Sequence, residues 1–124
     1  MRTFVASSLI ALASLLATNP AHAAECGTVS IAEMDWESAS LLANVDAIIL
    51  SSGYDCDVSL VPGDTMSTFA TMNEVGEPEI APELWINAYR DSFDAAVEAG
   101  RLRIAAKALS DGGVEGWWIP NYIA

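Results

Sequence analysis

The sequence predicts an α/β fold built on a mainly parallel sheet, and three observations point to it. Beyond residue 23, short β-prone runs alternate with stretches in which apolar residues recur every three or four positions. Glycines and prolines punctuate most of the boundaries between them. The two cysteines, Cys26 and Cys56, each stand at the start of one of the first two predicted strands. Parallel neighbours begin at the same end of a sheet, so this placement brings the pair within reach of each other.

The elements follow in order. Residues 1–23 read as a secretory leader: Arg2, then the apolar "FVASSLIALASLLA", then the small-x-small site "AHA", with cleavage expected before Ala24. The apolar run is too short to span a bilayer and has no charged flank after it. Glu25 directly before Cys26 argues against a lipoprotein. "GTVSIAEM" (27–34) is a strand, with Asp35 placed to cap the next helix. Over 36–52, Leu41, Leu42, Val45, Ile48 and Ile49 form one apolar stripe, and Gly53 is the expected stop. "CDVSLV" (56–61) is the second strand, closed by Pro62-Gly63.

Asp64 or Thr65 caps a second helix to about Glu74, expected to pack Met66, Phe69, Ala70 and Val75. "EPEIAPELW" (77–85), with two prolines and three acidic residues, suits a strand end or loop. A third helix over 88–99 places Phe93 and Val97 four apart, with Gly100 after it. "RLRIAAKAL" (101–109) reads as a strand, "SDGG" as a turn and "VEGWWIPNYI" as an extended piece. A parallel sheet is covered by helices on both faces, and the last predicted strand has no returning helix. The expectation is that Ala124 is a cut edge.

Charge and composition narrow the function. The chain carries 5 basic and 17 acidic residues, a net charge of −12. Loss of the leader removes Arg2 and the single histidine, His22. Nucleic acid and anionic membrane both require clustered Lys and Arg, so neither is an expected partner, and no direct membrane insertion is expected. An even cysteine count in an exported chain favours one disulfide, Cys26–Cys56. Two cysteines without a histidine do not close a four-ligand zinc site, so no metal or cofactor is expected. Catalysis lacks a Ser-His-Asp or Cys-His set, and no acid pair is marked out for general acid/base work. "SDGG" lacks the spacing and lysine of a phosphate loop.

Tryptophan placement carries more information. Trp36 follows strand one, Trp85 follows the "EIAPEL" segment, and Trp117 and Trp118 lie in the last extended piece. In an open parallel sheet, ligands bind beyond the carboxyl ends of the strands. Three aromatic planes there would hold a quaternary ammonium by cation–π attraction. Core burial is the competing reading for each ring. Alternation along an extended segment turns Trp117 and Trp118 to opposite faces, one toward a site and the other inward.

With "MDWESAS" (34–40), "APELW" (81–85) and "GGVEGWWIP" (112–120) in that order, the chain resembles the substrate-binding proteins of ABC importers for glycine betaine, proline betaine, choline and related quaternary amines. The likeness covers essentially all of 24–124 and only the beginning of the family's pattern, whose members are far longer and close two α/β lobes on the ligand. It implies a periplasmic-binding-protein-like fold, here part of the first lobe, exported to the periplasm and serving osmolyte uptake without catalysis. It implies Trp36, Trp85 and Trp117 as walls of an aromatic box, with Trp118 the second choice in its segment. Glu37 and Ser38 fall where some relatives place a polar contact to the ligand's other end. The implied partners are a quaternary ammonium ligand and the permease and ATPase of the importer. Two rival readings stand beside it: a small secreted, disulfide-bonded protein-interaction domain, and a small hydrolase using paired carboxylates.

Overall fold

The computed structural model describes residues 26–110, 112–113 and 116–123; the expected leader and its cleavage site lie outside them. Strands β1 (Thr28–Met34) and β2 (Asp57–Gly63) pair in parallel, in register from Thr28 opposite Asp57 to Met34 opposite Gly63. Helix α1 (Glu37–Tyr54) is the crossover between them. The expected disulfide joins Cys26 to Cys56, Cα atoms 4.8 Å apart, at the starting ends of both strands. Beside it the Asp57 amide donates to the Gly27 carbonyl at 2.8 Å. The result is an α/β lobe: a two-stranded parallel sheet flanked by helices.

The other edge of β1 carries a single bridge to Ile80. Ala32 N–H donates to the Ile80 carbonyl, and Ile80 N–H to the Ser30 carbonyl. Main-chain groups two residues apart face the same neighbour in a strand, so residues 78 and 82 would extend this ladder. Both are prolines, which have no N–H to give. The segment therefore makes one rung and turns away. Ser30 also holds it through its amide and hydroxyl, both donated to the Glu79 carboxylate, which these bonds keep below its ordinary pKa, the hydroxyl contributing most.

Helix α1 departs from expectation in three ways. Its buried residues are Ala39 and Ala43, while Leu41, Val45, Ile48 and Ile49 are exposed. Small side chains bring the helix axis close to the sheet, and the branched stripe lies outside that contact. The N-cap is Trp36 rather than Asp35, and it supplies no side-chain bond to the first-turn amides. Gly53 lies inside the helix; the stop is Asp55, in the left-handed conformation at φ 57°, whose N–H has turned back to the Leu50 carbonyl. Aspartate tolerates that region better than most residues.

Helix α2 (Thr65–Val75) opens on Asp64, whose carboxylate accepts from the Met66 and Ser67 amides while the Ser67 hydroxyl answers the Asp64 N–H. This capping box lowers the Asp64 pKa below 3.8, the Ser67 amide being the largest cause. A depressed carboxylate contributes stability above its unfolded pKa and loses it as pH falls through the folded value. Thermal melts of Asp64→Asn against wild type should show a gap at neutral pH that closes well below pH 3.8. A gap unchanged in strong acid would rule out the charge contribution.

Phe69 is the apolar anchor of α2; Met66, Ala70 and Val75 face outward instead of packing. A short 3₁₀ turn (Asn87–Tyr89) leads into α3 (Arg90–Glu98), which buries Phe93 and Ala96. Phe69 meets Tyr89 at 4.5 Å and Phe93 at 6.3 Å between ring centres, and Leu84, Ile86, Val97 and Leu102 close this cluster. A second cluster, Ala32, Met34 and Ala39, takes Trp36, Ala81 and again Leu84 against it. Residues 101–109 form no strand. Their first two amides turn back to the Ala96 carbonyl at the end of α3, and among the described residues no strand edge pairs with the rest. No helix among the described residues is long and apolar enough to cross a membrane.

Candidate functional site

The carboxyl ends of β1 and β2 open onto a depression of about 560 Å³, bordered by Glu33, Asp35, Trp36, Glu37, Pro62 and Gly63. Its floor is rigid. Met34 and Thr68 are buried, and the Thr68 hydroxyl donates to the Met34 sulfur at 3.5 Å, tying α2 to the end of β1. Gly63 makes this approach possible: a Cβ there would stand 2.6 Å from Thr68 Oγ1. Glu33 is held by the Ser40 hydroxyl at 2.6 Å and the Asn44 amide at 3.2 Å. Three carboxylates on one rim give the depression a negative field, favourable to a cation.

Trp36 leaves β1 at the threshold of α1 and is half-buried against the second cluster. Its Nε1 donates to Glu83 Oε1 at 3.0 Å, and Trp85 Nε1 donates to the same oxygen at 2.9 Å. Two indoles from segments far apart in sequence thus share one acceptor. Each nitrogen lies about 3 Å from it, so the two are within about 6 Å of each other. Leu84, between Glu83 and Trp85, packs on both apolar clusters and fixes the loop.

The model of the substrate-binding domain of ABC-type glycine betaine transport systems matches residues 27–124. The chain belongs to this family. No curated protein sequence matches it at a significant level. The family supplies the substrate-binding component of a transport system, a non-catalytic part.

In this glycine betaine transporter-type domain, the residues singled out from sequence fall into two groups. Trp36 and Trp85 come together at the strand ends. Glu37 and Ser38 are exposed on the first turn of α1, Glu37 on the rim of the depression. Trp117 is fully exposed and Trp118 is 77% exposed, so neither is a core residue and Trp117 stands clear of the Trp36–Glu83–Trp85 group. The turn before them does reach it: a Cβ on Gly113 would lie 2.4 Å from the Trp85 ring, so the backbone there rests on the indole edge.

Two participants were not singled out from sequence. Glu83 is one acid among seventeen, and its role depends on a contact 47 residues away; the available hint was its position two before Trp85. Gly113 reads as a turn residue, and a turn explains it without any ring beneath. Tyr89 is not a functional candidate. Its hydroxyl is buried without a partner, and burial pushes its pKa up to about 12.

Proposed function

We propose that this protein binds the methylated ammonium of glycine betaine or a related quaternary amine in an aromatic box and passes it to the permease and ATPase of an importer. The observation that carries the reading is the pairing of Trp36 and Trp85 on one acceptor beside an acidic depression at the strand ends. A quaternary ammonium has no N–H to satisfy, so indole faces cost it no hydrogen bond. Each face contributes about 0.5–2 kcal/mol, more as water is excluded. Trp117 is assigned as the third wall from its place in the sequence, although it is exposed and clear of the Trp36–Trp85 pair in this structure, and Trp118 is the second choice for that position. At the uncapped start of α1, the Ser38 hydroxyl suits a carboxylate end and the Glu37 carboxylate a hydroxyl end such as that of choline. The protein acts after export to the periplasm and cleavage before Ala24.

The test is calorimetric titration of wild type, Trp36→Ala, Trp85→Ala and Trp117→Ala with glycine betaine and with choline. Each substitution should weaken binding by about 1 kcal/mol or more, roughly fivefold. Unchanged affinity in all three would sink the box.

A second reading has its own observation. Trp117, Trp118, Ile119, Tyr122 and Ile123 are all exposed, and tryptophan and tyrosine are enriched at interface hot spots. If this segment is a protein-docking surface of a small secreted domain, Trp117→Ala and Trp118→Ala leave betaine affinity untouched.

A further inference from the structure

Among the described residues, Glu83 is the one buried charged side chain, 6% exposed. One of its oxygens accepts from both indoles, and the other, Oε2, is buried with no hydrogen-bond partner. No basic side chain among the described residues pairs with it; the one ion pair there is Arg90–Asp94, on the surface of α3. Burying a carboxylate with half its acceptors unmet and no counter-ion is unfavourable. A packing role alone would be served by a neutral side chain of the same shape.

The gain lies in the two rings. An indole has a single N–H, on one edge, so fixing that edge fixes which face turns outward. Glu83 does this for Trp36 and Trp85 from one atom. A donor bonded to an anion shifts electron density into its ring, which strengthens the negative face that a cation meets. The buried charge behind the rings adds to the same potential, poorly screened because water is excluded.

We propose that Glu83 is the positioning and specificity-determining residue of this site: it sets the orientation of Trp36 and Trp85 and makes the site select a cation over a neutral molecule of the same shape. The proposal rests on the aromatic-box reading above. The probes are choline and 3,3-dimethyl-1-butanol, in which an uncharged tert-butyl group replaces trimethylammonium. They are titrated against the full chain as wild type, Glu83→Gln and Glu83→Ala, with near-ultraviolet circular dichroism of each unliganded protein.

Glu83→Gln keeps an acceptor oxygen for both indoles and loses the charge. It should retain the wild-type tryptophan signal and the affinity for the neutral alcohol, while choline binds about tenfold more weakly. Glu83→Ala frees both rings, so the tryptophan signal should change and both ligands should weaken. A Glu83→Gln protein with the wild-type preference for choline over the alcohol overturns the selectivity role. A Glu83→Ala protein with an unchanged tryptophan signal overturns the positioning role. Should Glu83→Ala fail to fold, Glu83→Gln still decides the charge question. Wild type that binds neither probe overturns the box reading itself, and the circular dichroism still decides whether Glu83 holds the rings.

Discussion

Replacing Cys26 and Cys56 together by serine should lower the stability of the oxidised protein by about 3–4 kcal/mol. The figure comes from the loop the bridge closes, 30 residues in sequence, whose freedom in the unfolded chain the disulfide removes. That loop contains all of β1 and α1 and ends at the start of β2, so the bridge reduces the entropy cost of forming the crossover that defines the sheet. The effect is large relative to the whole. The two apolar clusters hold four and three buried residues, and domains of this size retain only a small net stability. Urea unfolding of the oxidised wild type and the double variant provides the measurement. Coincident midpoints would refute the loop-closure account. Reduction of the wild type with dithiothreitol should reproduce the variant.

Phe69→Ala should cost about 3 kcal/mol, the next largest effect. The ring is 8% exposed and touches both Tyr89 and Phe93, so truncation removes transfer energy and leaves a cavity between two aromatic neighbours. The consequence reaches the site, because Leu84 packs on this cluster and on the one beneath Trp36. Met66→Ala, three residues earlier on the same helix but 54% exposed, should stay within about 0.5 kcal/mol of wild type. Equal destabilisation by the two substitutions would mean that Phe69 is not the anchor.

Much of the lobe is legible in the sequence. β1, α1, β2 and α2 follow from residue type, periodicity and turn chemistry, and the Asp64 cap from its place before an apolar run. The orientation of α1 could not be read. Periodicity identifies a stripe such as Leu41-Val45-Ile48, but close contact with a sheet selects small residues, and Ala39 and Ala43 are the ones buried. Residues 101–109 have strand-like composition, yet a strand exists only where another edge accepts its hydrogen bonds. For the site, strand-end logic picked out Trp36 and Trp85 one at a time. Their meeting on Glu83 depends on how a proline-flanked loop crosses β1, a long-range contact that no local pattern encodes.

The cystine has a consequence for how the protein is made. Cys26 and Cys56, the two cysteines of residues 1–124, have one pairing available to each other. Forming this bridge requires an electron acceptor, and between these two thiols there is no wrong pairing to correct. Bridges between copies of the chain compete with it, and their share rises with concentration and falls on dilution before oxidation.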